Sequence, residues 1–241
     1  MSSDEPPVSS IAQAYPDRIE VRGRDLTELM GATTFTGYVH LLLTGREATE
    51  EQRYFLDLVL VALAEHGMMP TNVAARMTLA ADPASLQGAV AAGVLGAGPV
   101  ILGTSGECAR LLASGRGAAE IARDFRTAGR RIPGFGHPVH KPLDPRAERI
   151  LELADAHGVS GEHVRLAREL RDAVAPLTMN VSLPIAAVLL DLGFPVAAAD
   201  AVPILARTAG LLAHLAEESE NPIGLRLAAA AEEAVEYRPP S

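Results

Sequence analysis

The sequence predicts an all-α protein, and three observations carry that prediction. Ala and Leu dominate its apolar residues, only 4% of the chain is aromatic and Trp is absent, a makeup that suits helix interiors better than the β-branched and aromatic faces of sheets. Apolar residues return at spacings of three and four in segment after segment. Convincing alternation is confined to Arg18-Ile19-Glu20-Val21-Arg22, read as one small ribbon strand ahead of Gly23. With 241 residues, 48% hydrophobic and 21% charged, the chain can bury a sizeable core in one large domain or two unequal lobes.

Residues 1–16 read as a loose arm. Their start, MSSDEPPVSS, is acidic and rich in Pro and Ser, unlike the basic and then apolar pattern of an export signal. Asp25 caps a helix through Leu26, Leu29 and Met30, with Glu28 at capping-box spacing. A second helix fills 35–43 and stops near Gly45. Thr49 and Gln52 open a long helix over 50–66, whose stripe is Phe55, Leu56, Val59, Leu60 and Leu63 and whose stop is Gly67. His66 falls in its last turn, where the helix dipole favours a protonated imidazole. Pro70-Thr71-Asn72 restarts the chain as another helix, and 83–102 reads as a Gly-rich helix that crosses a neighbour closely. Its apolar run, 88–102, is shorter than the roughly 20 residues a bilayer span needs.

From about Gly115 to Ala175 the chain is more charged, with helices expected over 118–128, 145–157 and 162–174. This stretch is a candidate small domain, 115–175, inserted into a large helical domain formed by 17–114 and 176–235. Apolar helices follow over 183–192 and 197–218, and 236–241 is a tail.

Charge and cysteine content exclude several classes. Lys and Arg total 21 against 30 Asp and Glu, a formal charge of -9, with no basic run, which disfavours nucleic acid and anionic membranes as partners. The lone Cys108 cannot form an internal disulfide, and no zinc-finger spacing exists. A cytoplasmic location fits best.

Two segments carry candidate chemistry. Residues 133–146 place four Pro and two Gly around His137, His140, Lys141, Asp144 and Arg146, a stiff loop suited to positioning polar side chains. The plain alternative is a Pro-rich connector with solvated histidines. A zinc reading of His137-x-x-His140 lacks further ligands, and Pro138 spoils helical spacing, so no metal site is assigned. In the second segment Arg207, Gly210 and His214 share one helical face. An arginine inside an Ala/Leu-rich helix needs a partner: either an internal carboxylate such as Asp191, Asp200 or a nearby Glu, or the carboxylate of a ligand. Residues 103–107 lack the final Gly of a nucleophile elbow, and neither a P-loop nor a dinucleotide fingerprint is present.

These residues resemble the citrate synthase superfamily, and within it the short bacterial citryl-CoA lyase-like proteins. The resemblance covers about residues 18–235 and rests first on Pro133-Gly134-Phe135-Gly136-His137, followed nine residues later by Arg146 in Asp144-Pro145-Arg146. Glu65-His66-Gly67 to Asn72, Met179-Asn180-Val181 and Arg207 to His214 match in the same order. It implies an all-α fold with a small domain inserted in a large one, a homodimer, and active sites between domains. It further implies that His66, His137, Arg146 and Arg207 hold an oxaloacetate or citrate moiety, with Asn180 beside them and Arg226 reaching in from the partner subunit. The segment Pro133, Gly134, Phe135 and Gly136 then binds coenzyme A, as a thioester cosubstrate with no resident cofactor.

The implied reaction makes or breaks the carbon–carbon bond between an acyl-CoA and a 2-oxo acid, with citryl-CoA cleavage favoured over citrate synthesis. His137 is the expected catalytic group, donating to a carbonyl oxygen as it becomes an alkoxide or removing the hydroxyl proton in cleavage. His66 and Ser182 complete the catalytic set. Two family positions differ: apolar Ile101-Leu102 stand where an enolising histidine is expected, and Ser182 stands where a carboxylate base is expected. Glu107, Glu65 or Ser182 acting through water are the candidate substitutes. A non-catalytic citrate- or oxaloacetate-binding protein and a thioesterase are the alternatives.

Overall fold

The computed structural model describes residues 6–137 and 140–240; residues 1–5 of the expected arm, Pro138 and Val139 within the His137-x-x-His140 spacing, and Ser241 lie outside the described residues. The chain is helical apart from a small antiparallel sheet of order β1-β2-β3, formed by β1 (Ala12–Ala14), β2 (Ile19–Val21) and β3 (Arg24–Asp25). Ala12 faces Val21 and Glu20 faces Asp25. Part of the expected arm is therefore an edge strand, because β2 supplies hydrogen bonds that the sequence of residues 12–14 does not announce. Arg22 and Gly23, at φ 53 and 76, make the two-residue turn between β2 and β3.

Helices then follow local start and stop signals. Asp25 caps α1 (Leu26–Leu29) by accepting from the Thr27 N–H at 2.7 Å. Thr34 caps α2 (Phe35–Thr44), and Gly45 ends it in the left-handed region. Thr49 and Gln52 form a complete capping box at the start of α3 (Glu50–Ala64), satisfying two helix-end groups at once. Pro70 opens α4 (Pro70–Ala81).

The Gly-rich stretch departs from expectation. In place of one helix over 83–102 stand α5 (Leu86–Leu95) and the single turn α6 (Gly98–Ile101), followed by α7 (Thr104–Leu112). Gly96 caps α5 and Gly98 adopts φ 53, so the glycines read as packing residues also turn the chain. The close crossing itself is present: a Cβ at Gly93 would press on the Leu211 side chain and the Thr71 carbonyl.

Helices α8 (Ala118–Thr127), α9 (Pro145–Ala156) and α10 (Glu162–Ala173) carry one apolar face each. By contrast α11 (Ser182–Asp191) is buried along its length from Leu183 to Leu189, as its all-round apolar sequence requires. It packs against α7, α9 and α10 and anchors the principal core. Helix α12 (Ala198–Glu220) lies across α3 and α4. A further helix, α13 (Gly224–Glu233), precedes the tail and packs on α4. Among the described residues no helix is long and apolar enough to cross a membrane.

One crossing positions the chemistry. A Cβ at Gly210 of α12 would collide with the Ala64 carbonyl oxygen at the end of α3. Only glycine lets these helices approach so closely, and the approach sets His66, just beyond α3, beside Arg207, one turn back along α12.

Candidate active site

Helix α3 ends at Ala64, and the extended residue Glu65 turns the chain away. The Glu65 carboxylate accepts from the N–H groups of His66 and Gly67, both at 2.7 Å. Behind this turn, Arg76 on α4 is fully buried; it donates to His214 and pairs with Glu217 and Glu218. His214 in turn meets Glu65 at 2.9 Å. This network, absent from the sequence expectations, fixes the direction of His66.

His66 consequently differs from its expected electrostatic role. It lies outside the helix, and its pKa is pushed down by burial and by the charges of Arg146, His140 and Arg207, against the opposing pull of Asp144. The neutral imidazole is favoured there, where the helix dipole alone suggested a cation.

The loop bearing His137 is held by the chain ahead of α11. Gly136 N–H donates to Thr178 O at 2.7 Å, Asn180 N–H to Gly134 O at 2.9 Å, and Phe135 bridges Met179. Gly134 has φ 84, and a Cβ there would strike Leu183 and Cys108, so this position demands glycine. Asn180, expected among the substrate ligands, instead donates its amide N–H to Gly136 O and accepts from Ser182 N–H. Its side chain braces the loop.

At the other end of the loop Asp144 is completely buried and accepts from Arg146 Nε, Arg146 Nη2, Arg146 N–H and Val181 N–H. It aims Arg146, whose Nη2 lies 3.4 Å from His137 Nε2. Burial would raise the Asp144 pKa, but the hydrogen bonds and charge of Arg146, with the Val181 N–H, outweigh it and hold the group below the usual aspartate value. Its contribution to stability is therefore complete above the ordinary carboxylate range and is lost as the pH falls through the lowered native value. Asp144→Asn is expected to cost about 3 kcal/mol at neutral pH by leaving Arg146 unpaired, and to flatten the acid limb of stability; urea denaturation at neutral and acid pH reads both.

Arg207 is among the buried residues of α12. It is 4% exposed, and its Nε and Nη1 have no hydrogen-bond partner among the described residues. Several of the expected internal partners are engaged elsewhere: Asp191 caps α10 and pairs with His163, Asp200 pairs with Arg110, and Glu217 and Glu218 pair with Arg76. Burial lowers the Arg207 pKa, Glu65 supports the charge and Arg146 opposes it.

The structure thus brings His66, His137, Arg146 and Arg207 into one cluster, and adds His140. His66 Nε2 and His140 Nε2 are 3.4 Å apart, and His140 N–H donates to His137 Nδ1 at 2.8 Å. One nitrogen of each of the three rings lies within 4.8 Å of one on each of the others, the one such group suited to a metal ion among the described residues. The tautomer of His137 opposes a three-histidine centre. Among the described residues Nδ1 accepts the His140 N–H at 2.8 Å, the shorter of two donor contacts on this ring, Arg146 Nη2 lying 3.4 Å from Nε2; the shorter bond favours a neutral ring with its proton on Nε2, which then offers no lone pair. The convergent N–H groups of His137 and Arg146 suit an oxygen atom of an anion instead.

No hydrogen bond joins Ser182 or Arg226 to the cluster among the described residues. Ser182 opens α11, half-buried, and no hydrogen bond links it to the histidines among the described residues. Arg226 is exposed on α13 and, among the described residues, takes part in none of the cluster's bonds. Beside Pro133 lies a recess of about 410 Å³ lined by Arg110, Arg116, Arg130 and Arg131, with Phe125 stacked under Arg130 at 5.0 Å.

Comparison with known proteins bears on the family and the fold. A family model described as the citrate synthase C-terminal domain matches residues 43–227. The citrate synthase of Heyndrickxia coagulans is 27% identical over 191 residues, which are 75% of this chain and 51% of that protein. The chain thus spans about half the length of the curated relatives it matches. The citryl-CoA lyase of Hydrogenobacter thermophilus superposes with a TM-score of 0.87 at 30% identity, covering 97% of this chain and 96% of that one. The ATP citrate lyase of Methanothrix soehngenii, solved with citrate and coenzyme A, shares the fold at a TM-score of 0.82 and 21% identity, over 100% of this chain and 43% of its own.

Proposed function

The chain belongs to the citrate synthase family, and from that premise we propose that it cleaves citryl-CoA, or a related 3-hydroxy-3-carboxyacyl-CoA, into an acyl-CoA and a 2-oxo acid. The observation that carries this reading is the buried guanidinium of Arg207, unpartnered at Nε and Nη1, next to His66 and Arg146. A small polyacid supplies the carboxylate that such a group lacks, and Arg146 offers a second cation, held by Asp144.

His137 Nε2–H points its donor at the oxygen on the reacting carbon, where charge changes during bond cleavage. Phosphates and adenine of coenzyme A fit the arginine-lined recess that begins at Pro133, and the loop 133–136 leads from there to His137. Residues 115–175 act in this reading as the small lobe over the cleft. A second copy of the chain, in a cytoplasmic homodimer, brings Arg226; the exposed Leu95, Val100 and Leu225 supply apolar surface for that pairing. Replacement of the expected enolising groups by Ile101 and Ser182 favours a second reading, a citrate-binding protein without catalysis.

Incubation of the full chain with citryl-CoA separates the readings. Oxaloacetate and acetyl-CoA in equal amounts, absent with a His137→Ala control, are the expected products. Citrate binding without turnover supports the second reading, and free CoA released together with citrate identifies a thioesterase.

A further inference from the structure

A ligand carboxylate can use Arg207 only if its Nε and Nη1 stay open, yet a carboxylate of the chain itself stands nearby. A Cβ at Gly210 would lie 3.1 Å from Glu65 Oε2. That oxygen therefore rests on the face of α12 between Arg207, one turn back, and His214, one turn on. A guanidinium and a carboxylate so placed readily form a forked ion pair. Here they do not: Glu65 supports the Arg207 charge, while Nε and Nη1 lack a hydrogen-bond partner among the described residues.

The other neighbour, His214, holds the carboxylate back. Arg76 donates to His214 Nδ1 from Nε at 3.0 Å and from Nη2 at 2.8 Å. A guanidinium only donates, so Nδ1 is bare and the ring proton stands on Nε2, 2.9 Å from Glu65 Oε2. Asn72 Nδ2 lies 2.8 Å from the same ring nitrogen, but its two hydrogens serve Gly67 O at 2.6 Å and Glu65 Oε1 at 3.2 Å. Oε1 also accepts the His66 and Gly67 N–H groups. Burial would raise the Glu65 pKa, but the hydrogen bond from His214 and these N–H groups outweigh it, so the carboxylate stays charged. Arg76 is a firm support for the ring, being fully buried and paired with Glu217 and Glu218.

We propose that His214 is a positioning residue: clamped by Arg76, it keeps Glu65 from closing on Arg207 and so leaves the guanidinium charged and open to a ligand carboxylate. Glu65 is then a counter-charge and not the base that the sequence suggested. The inference rests on the citryl-CoA reading in one respect, that Arg207 receives a carboxylate of the substrate.

Two substitutions divide the ring. In His214→Asn the amide oxygen replaces Nδ1 and still accepts from Arg76, but nothing stands at Nε2. In His214→Gln the amide nitrogen replaces Nε2 and still donates to Glu65, while Arg76 loses its acceptor. Closure of Glu65 on Arg207 divides ligand affinity by the fraction of molecules left open, so a closed state populated to about 90–99% raises the citrate Kd about 10- to 100-fold. Titration calorimetry on the full chain is expected to show a rise of that size in His214→Asn and little change in His214→Gln. Adding Glu65→Gln to His214→Asn should recover most of the loss, because an amide brings no charge to Arg207 and its oxygen still accepts from His66 and Gly67. His214→Ala, which removes both ends of the ring, should match His214→Asn in affinity. A purely structural histidine predicts the opposite order, with His214→Gln the worse variant because it strips a bond from buried Arg76. Unchanged affinity in His214→Asn and His214→Ala, an equal loss in His214→Gln, or no recovery in the double variant overturns the proposal.

A crystal structure of unliganded His214→Asn or His214→Ala reads the same event without a ligand. The Glu65 carboxylate is expected on Arg207 Nε and Nη1, and Glu65 unmoved with Arg207 still open overturns the proposal. If the wild type binds no citrate while Glu65 swings in the variant, the substrate reading fails and the role of His214 stands.

Discussion

Arg207→Met is expected to make the protein more stable and to end its affinity for small polyacids. The guanidinium sits 4% exposed with two nitrogens unpartnered, on a helix whose neighbouring residues are apolar. An uncompensated buried charge costs several kcal/mol, and an apolar side chain of similar length removes that cost. We expect a gain of about 1–3 kcal/mol in unfolding free energy for the free protein. The same change deletes the forked donor available to a ligand carboxylate. Citrate or oxaloacetate affinity should fall at least 100-fold, about 2.7 kcal/mol. Thermal denaturation and titration calorimetry on one pair of proteins read both effects. A destabilised variant that still binds citrate would make Arg207 a structural residue and leave the cleft without its main anchor.

The second large effect is expected at His137. Loss of a preorganised donor to a changing oxygen costs about 100- to 1000-fold in kcat, and His137→Ala should show a fall of this size in citryl-CoA cleavage. Citrate affinity should change far less, since Arg146 and Arg207 remain. The pH profile adds a sign. Burial, then the neighbouring His140, Arg146 and His66, pushes the His137 pKa below the ordinary imidazole value, against Asp144. The neutral donor therefore persists as the pH falls through the usual histidine range, and activity should decline only below it. An activity that grows on acidification through that range would mean that the imidazolium is the working form.

Much of the fold was legible because its signals are local. Thr49 with Gln52, Gly45 after α2 and Pro70 at α4 each fix a helix end through their own hydrogen bonds or dihedral angles, and the structure follows them. The departures come where a distant partner decides. Residues 12–14 become a strand because β2 lies beside them. The run 83–102 breaks because its glycines serve both close packing and turning, two uses that look alike in sequence. The sequence Gly224-Leu-Arg-Leu-Ala-Ala-Ala-Ala-Glu-Glu carries strong helix formers, so α13 had a readable signal.

The site divides in the same way. His137 and Arg146 lie nine residues apart in one stiff loop, and their association is written in that spacing. Arg207 announced itself as a charge among Ala and Leu, but its lack of an internal partner emerges only when Asp191 and Asp200 are seen engaged elsewhere. His140 pairs with His137 by spacing, and the sequence shows no third neighbour beside them. That neighbour is His66, 74 residues away in the chain, a separation no local pattern bridges. The charge of His66 departs from the helix-dipole expectation because the dipole is read from position, whereas burial and two arginines act through space.

The direct test of the whole account is a crystal structure of the full chain grown with citrate. One citrate is expected, with a carboxylate within hydrogen-bond distance of Arg207 Nε and Nη1, a second carboxylate at Arg146, and the alcohol oxygen at His137 Nε2. Citrate bound elsewhere, or absent at saturating concentration with those two Arg207 nitrogens still unpartnered, would contradict it.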